Sequence, residues 1–483
     1  MDARGRIPVT LPRANPTTPF WQETPDPAVT DLQSTPDLPA DIDIAIVGSG
    51  ITGASIAWHL LKSSNKTIVM VEARQAASGA TGRNGGHTKA ASYRSFLDHA
   101  ARLGTPAAVQ IARLELDAIH SVHGLAADKK EPIACDSHPC QTVDVIYDAA
   151  QWEHAKRTVA AMRKAMPAGD PAAEYGLYER PEALAKFACA DSADQKVQGV
   201  VEYVAGSVSA YRFTVGVLKQ CLAQGLNLQT NTPVVSLKKD GAQWLVKTPR
   251  GTMRARDVVL ATNAYTAFLM PELQGVVVPL RGQITMHRVG SKMPPALPTT
   301  YSFIYDRGYE YMITRPTGSQ CAGDMVIGGG LKYADDAYRK SRESDVGLSE
   351  YGNTDDTTLN PRVSQYLREA PVRYFGRDRH WGQDHVDGRV RSEWTGIMGY
   401  TPDTYPLVGA LPDQSKRGLW LCCAFQGHGM VYSWPCGRAA ASMIEGRDDA
   451  SLKEWFPACF RVGEERLKMQ FGGTKPEAER AKL

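Results

Sequence analysis

Gly48, Gly50 and Gly53 stand at the spacing of a Gly-x-Gly-x-x-Gly turn, with Ser49, Ile51 and Thr52 between them. Such a turn can hold the pyrophosphate of a dinucleotide. Gly48 permits the tight bend, Gly50 lets backbone approach the phosphates, and Gly53 lets helix and strand pack closely. The helix that follows would meet the phosphates with unpaired N–H groups and the positive end of its dipole. Glu72 lies further along, at the end of the next strand, where a carboxylate can bind ribose hydroxyls and would repel a 2′-phosphate. A second glycine-rich run, Ser78-Gly79-Ala80-Thr81-Gly82-Arg83-Asn84-Gly85-Gly86-His87, suits close passage of backbone along the same cofactor. A third, Gly427-His428-Gly429-Met430, leads into a helical pattern. Pro435 is tolerated in a first turn but breaks a helix interior, so this helix is expected to start near Ser433.

These groups need elements to hold them. Ile42–Val47 is an apolar run suited to a buried parallel strand, and Thr67–Val71 supplies a second strand that ends at Glu72. Helical periodicity follows over Pro106–His123, Trp152–Met166, Pro181–Phe187 and Thr357–Leu367. Strands are expected at Val234–Leu237, Trp244–Thr248 and Met253–Leu260, the last running into Ala261-Thr262-Asn263. From Pro279 to Lys332 the pattern is strand-like, and alternation puts Tyr309 and Tyr311 on one face. Residues 1–40 carry Pro16, Pro19, Pro25, Pro27, Pro36 and Pro39, which break regular structure. They read as an extended arm lying over the body and anchored by Phe20 and Trp21.

A chain of 483 residues can bury a large core in two or three domains. Its net charge of +3 gives no reason to expect nucleic acid or a membrane surface as partner. No apolar run approaches a membrane span, and no signal-peptide core is seen. The nine cysteines are scattered; Cys135 with Cys140 and Cys422 with Cys423 lack a matching second pair, so no metal site is expected. No Ser-His-Asp arrangement or nucleotide-triphosphate loop competes for the active site. The terminal Ala481-Lys482-Leu483 resembles a peroxisomal address, which implies an import receptor as partner and a peroxisomal matrix location, with the cytoplasm as the alternative.

In this order the segments resemble the D-amino-acid oxidase superfamily of FAD-dependent amine and amino-acid oxidoreductases, near sarcosine oxidase, glycine oxidase and γ-glutamylputrescine oxidase. The markers are the two glycine runs with Glu72, Ala261-Thr262-Asn263-Ala264-Tyr265, Pro279-Leu280-Arg281-Gly282-Gln283, Gly399-Tyr400-Thr401-Pro402-Asp403 through Pro406 and Gly409, and Gly427-His428-Gly429-Met430. The resemblance implies an α/β fold: a discontinuous Rossmann-like FAD domain (41–105, 205–270, 385–450) interleaved with a mostly antiparallel substrate domain (106–204, 271–384). The arm 1–40 and a tail 451–483 flank them. It also implies FAD contacts by Ala73, Arg74, Val234, Val235, Ala261, Thr262 and Asn263 beside the three glycine runs.

The implied chemistry is oxidation of a C–N bond in an amine or N-substituted amino acid, with hydride passing to FAD, O2 as acceptor and H2O2 as product. A dehydrogenase with a quinone or protein acceptor is the alternative, and a non-catalytic flavin-binding protein a remote one. Lys332 matches a lysine that assists oxygen in sarcosine-oxidase-like enzymes, and His87 is placed near the flavin. Tyr309, Tyr311, Arg315 and Trp394 are implied pocket walls, while Arg281 and Gln283 could be hinges. The chain departs from the family pattern at Gly396, where a relative's FAD-linking cysteine would stand, and at Val431, in place of a carboxylate-binding lysine. Non-covalent FAD is therefore expected, and an amine substrate is favoured over a simple N-methyl amino acid.

Overall fold

Asp41–Val47 forms the middle strand of a mostly parallel sheet, with Gly251–Leu260 on one side and Ile68–Val71 on the other, both parallel to it. The structure, a computed structural model, describes residues 2–192, 194–335 and 346–471. In it this sheet runs in the order 407–410, 419–423, 251–260, 41–47, 68–71, 227–229, and an antiparallel pair, 243–248 and 236–240, extends from 251–260. Ile44 and Ile46 enter one core while Ala45 and Val47 enter another, so both faces are covered. That explains why the strand reads as an unbroken apolar run. Helices Ile51–Ser63, Ala210–Ala223 and Gly429–Ile444 supply the first core with Ile56, Leu60, Phe213 and Trp434.

A second sheet runs in the order 390–400, 278–287, 325–329, 308–314, 300–305, 138–146, 199–207, 87–89, and 176–179 pairs with 199–207. Its pairings are antiparallel except that between 300–305 and 138–146. Helices on this side start where a side chain can accept the first N–H groups: Asp148 caps Ala149–Ala165, and Asn360 caps Pro361–Phe375. The fold is thus α/β, a Rossmann-like sheet interleaved along the chain with a mostly antiparallel one. Two stretches grouped by sequence with the first sheet, 41–105 and 385–450, each lend a strand, His87–Lys89 and Val390–Tyr400, to the second.

Three local expectations are corrected. The strand expected at Val234–Leu237 begins at Ser236, and the helix expected from Thr357 begins at Pro361 because Asn360 caps it. The helix expected from Ser433 begins at Gly429 and carries Pro435 inside it. Tertiary packing overrides the local break: Ser55 donates a hydrogen bond to the Trp434 carbonyl at 2.7 Å, and Gly437 lies so close to Ser55 that a Cβ would sit 2.5 Å from its Oγ.

The expected import address Ala481-Lys482-Leu483 lies outside the described residues. Among the described residues no helix is long and apolar enough to cross a membrane, and no group of three His, Cys, Asp or Glu side chains could hold a metal ion.

Candidate active site

One cavity of about 690 Å³ lies between the two sheets, lined by residues of both. At one end the first glycine run forms a cradle with no room for side chains. A Cβ on Gly48, whose φ is +106°, would lie 2.6 Å from the Ala261 carbonyl oxygen, and one on Gly50 2.9 Å from Thr81 Oγ1. Gly53 does not line the cavity; a Cβ there would meet the Gly48 carbonyl at 2.0 Å, which fits its role in helix–strand contact. Glu72 lines the cavity with Ala73, Arg74 and Val234. Its carboxylate accepts from the Ser49 N–H at 3.0 Å, the Ser49 hydroxyl at 2.8 Å and the Arg74 N–H at 3.0 Å. Ser49 therefore sets the orientation of Glu72 from outside the cavity.

The second glycine run forms the next stretch of wall. Thr81 accepts from the Ile51 N–H at 3.0 Å, and Asn84 donates to the Ala80 and Thr81 carbonyls and accepts from the Gly86 N–H at 2.7 Å, which folds the loop on itself. Arg83 lines the cavity yet is buried. It donates to the Thr395 carbonyl at 2.6 Å and to Thr17, while its Nη1 has no hydrogen-bond partner. Burial holds its guanidinium down to about 10, against the pull of Asp356. Tyr265 also lines the cavity with an unpartnered buried hydroxyl. Gly427, His428, Gly429 and Met430 complete this part, with Gly427 at φ +72° against Tyr400 Oη and the helix N-terminus opening on the cavity. Two orphaned donors and a side-chain-free cradle leading to a carboxylate are what a dinucleotide requires, so these residues fit FAD.

At the other end stands a charged cluster that the sequence reading missed. Lys89 and Arg94 line the cavity, and both face Asp144, which is wholly buried. Arg94 donates to Asp144 Oδ2 from Nε at 3.0 Å and Nη2 at 2.6 Å; Tyr93 and Tyr203 donate to the same oxygen, each at 2.8 Å. Lys89 Nζ lies 3.7 Å from Asp144 Oδ1 and donates to Ser302. Burial opposes charge on Asp144, but Arg94 and Lys89 outweigh it and hold the carboxyl well below the usual range. Burial and the nearby Arg94 bring Lys89 down to about 7. The Tyr309 ring sits 5.2 Å from the Arg94 guanidinium and 5.8 Å from the Lys89 ammonium. Strand alternation puts Lys89 on the same face as His87, and that was the signal available in the sequence.

Among the expected reactive groups, Lys332 lines the cavity while largely buried. It donates to the Asp306 carbonyl at 2.6 Å and lies 4.9 Å above the Tyr305 ring. The turn that carries it is anchored from behind. The Gly330 N–H donates to Glu310 at 3.2 Å, and the same carboxyl accepts from Tyr305, Tyr366 and Tyr374. Burial pushes Glu310 up to about 7. His87 lines the cavity; its Nε2 pairs with Thr300 at 2.8 Å, its Nδ1 is unpartnered, and burial holds the ring neutral.

Tyr309 and Tyr311 line the cavity as expected of neighbours on one strand face. Arg315 and Trp394 do not. Arg315 is buried against Asp136 at 2.9 Å and between Phe20 and Trp21, and Trp394 is buried with its Nε1–H donating to the Arg83 carbonyl at 2.8 Å. Both are corrected from pocket walls to packing residues. Ser78 and Val235 also lie outside the lining; Ser78 is buried behind the loop and Val235 is exposed at the surface. Arg281 pairs with Glu350 at 2.6 Å, and Gln283 donates to Ser364 at 2.7 Å.

With this geometry established, comparison places the chain. The profile of the family described as FAD dependent oxidoreductase (DAO) matches residues 43–443. The chain belongs to that family and is an FAD-dependent oxidoreductase. It is 23% identical over 407 residues to the probable oxidoreductase OrdL of Rhizobium meliloti (84% of this chain, 83% of that protein). It is 25% identical to the D-amino acid dehydrogenase of Paramagnetospirillum magneticum (84% of this chain, 96% of that protein). Its fold is similar to that of glycine oxidase from Geobacillus kaustophilus, with a TM-score of 0.66, 21% identity and coverage of 88% of this chain and 99% of the other.

Replacing Gly50 by valine tests the cradle. With the Cβ position already 2.9 Å from Thr81 Oγ1, the branched side chain would fill the space next to the turn. FAD affinity, followed by flavin fluorescence on titrating apoprotein, is expected to fall about 100-fold or more, a loss of roughly 2.7 kcal/mol.

Proposed function

We propose that this protein is an FAD-dependent oxidase that opens a C–N bond of an amine or N-substituted amino acid, with O2 as electron acceptor and H2O2 as product. The observation that carries this reading is that one continuous cavity joins the glycine cradle to a chamber walled by Lys89, Arg94, Tyr309 and Lys332. Bound FAD would supply the redox chemistry, taking a hydride from the carbon next to nitrogen and delivering its two electrons to O2. The substrate nitrogen also gives up a proton, the resulting imine adds water, and its C–N bond then breaks to leave a carbonyl compound and an amine or ammonia. O2 takes the two electrons with two protons.

The protein's own part is binding, orientation and charge. Arg94, held rigidly by Asp144, and Lys89 form a cationic wall suited to a substrate carboxylate. That favours an amino-acid substrate over the simple amine expected from the loss of a lysine at Val431. Tyr309 and Tyr311 give the chamber an aromatic side, and the helix N-terminus after Gly427 favours negative charge developing on the cofactor side. Lys332, fixed by Asp306 and Tyr305 on the cavity wall, would offer a cation to O2 as it accepts electrons. Gly396 lines the cavity without a side chain, which supports a non-covalent cofactor.

The second reading, a dehydrogenase that passes electrons to a quinone or protein acceptor, is favoured by the name of the Paramagnetospirillum magneticum relative. A panel of amines, D- and L-amino acids and N-alkyl amino acids decides between them. Peroxide release in air from one substrate class is expected; flavin bleaching that reverses only with an artificial acceptor would instead establish the dehydrogenase.

Lys89 gives this reading a pH signature. Below about 7 its ammonium is charged, and above it the charge is lost. KM for a carboxylate-bearing substrate is therefore expected to rise as pH increases through that value, by about tenfold. Lys89→Met should flatten the profile, which steady-state kinetics from pH 6 to 9 would show.

A further inference from the structure

The N-terminal arm reaches the cavity itself. Leu11 and Pro12, both half-buried, line it together with Glu72, Arg74 and Tyr265. The arm is fixed on either side of this pair. Upstream, the Val9 N–H donates to Gln274 at 3.2 Å, and Gln274 donates to the Gly5 and Ile7 carbonyls. Downstream, Arg74 donates to the Arg13 carbonyl at 3.1 Å while holding Asp356 at 2.9 Å.

Further along, the arm grips the second glycine run. Thr17 donates through its N–H and hydroxyl to the Asp356 carbonyl and accepts from Arg83 at its own carbonyl and Oγ1. Trp21 Nε1–H donates to the Asn84 carbonyl at 2.6 Å, and Gln22 donates to the Gly82 carbonyl at 2.9 Å. The fit at Gly82 is close: a Cβ there would lie 2.2 Å from the Gln22 amide nitrogen. Phe20 and Trp21 are buried in the main core, so the grip is anchored by apolar burial as well as hydrogen bonds.

We infer that residues 9–22 are a working part of the cofactor site: Leu11 and Pro12 wall its nucleotide end, Thr17, Trp21 and Gln22 fix the Gly82–Asn84 loop, and FAD leaves only after the arm lifts. This rests on the reading that the cavity holds FAD. It goes beyond the glycine motifs, because the arm lies outside the residues matched to the family profile. A segment that merely stabilised the fold would influence melting of the apoprotein. A segment that closes the site changes how fast cofactor escapes from a protein that is otherwise intact.

The experiment uses the full chain loaded with FAD. Flavin fluorescence after rapid dilution gives the dissociation rate, and thermal melts of the apoprotein report the fold. The double variant Leu11→Gly, Pro12→Gly is expected to release FAD about tenfold faster or more, with apoprotein melting unchanged. Trp21→Phe keeps the apolar anchor but loses the bond to Asn84, and it is expected to speed release as well. As a measurement that needs no variant, trypsin cleavage after the exposed Arg13 should be slower in holoprotein than in apoprotein. Equal release rates in parent and double variant, or equal cleavage with and without FAD, would overturn the inference. Failure of the parent chain to bind FAD at all would overturn the reading of the cavity, and this inference with it.

Discussion

Arg94→Leu is expected to raise KM for the carboxylate-bearing substrate by two to three orders of magnitude and to lower the stability of the fold at the same time. The two effects have separate causes. In the cavity the variant loses the cation that Asp144 holds in place through two hydrogen bonds, at 2.6 and 3.0 Å. A charge-assisted contact to substrate carboxylate lost from a dry site costs roughly 3–4 kcal/mol, hence about 100- to 1000-fold. In the fold, Asp144 is left buried with the Tyr93 and Tyr203 hydroxyls and with Lys89, 3.7 Å away, as its remaining counter-charge. Breaking a buried pair by removing one partner costs about 3–5 kcal/mol. A second substitution separates them. Arg94→Leu with Asp144→Leu removes the stranded carboxylate but leaves Lys89, Tyr93 and Tyr203 without their acceptor, so melting temperature should recover in part while KM stays high. Recovery of both would mean that Arg94 acts only through the fold. Arg94→Lys should keep the positive charge and lose the two-pronged contact, giving an intermediate KM.

Lys332→Met is expected to slow reoxidation of the reduced protein by O2 about 100- to 1000-fold, while substrate reduces the flavin anaerobically at nearly the parent rate. A fixed charge near a site of developing negative charge contributes roughly 3–4 kcal/mol where the effective dielectric constant is about 20. The ammonium is held by the Asp306 carbonyl and the Tyr305 ring, so it needs little reorganisation when the reaction occurs. Methionine keeps the length and apolar stem of lysine and removes only the charge. Stopped-flow mixing of reduced protein with oxygenated buffer measures the step alone. An unchanged rate would remove Lys332 from oxygen chemistry and favour the dehydrogenase reading.

What was legible in the sequence was whatever depends on backbone. Gly48, Gly50, Gly53, Gly82, Gly85 and Gly86 must be glycine because backbone or side-chain atoms occupy the place of a Cβ, and such demands leave an unmistakable local pattern. The substrate chamber was much less legible. Lys89, Arg94 and Asp144 come from separate segments, and only the pairing of strands 87–89, 199–207 and 138–146 brings the first and last of them together. No spacing rule links them. Arg315 and Trp394 were placed by analogy with pocket strands, yet both are taken up by partners, Asp136 and the Arg83 carbonyl, whose positions tertiary packing decides. The early start of the helix at Gly429 has the same origin: the local break at Pro435 is weaker than the close fit of Gly437 on Ser55.

The strand order of the first sheet also governs when the protein can fold. Asp41–Val47 is flanked in space by Gly251–Leu260, which in turn needs Leu419–Cys423 on its far side. Asp41–Val47 can pair early with Ile68–Val71, but its other edge waits for Gly251–Leu260 from the middle of the chain, which waits in turn for Leu419–Cys423. Pairings this distant in sequence have high contact order and form slowly. Until they form, one edge of 41–47 and then the far edge of 251–260 stay open, and a nascent chain stalled before Leu419 leaves the apolar end of 251–260 without its outer partner.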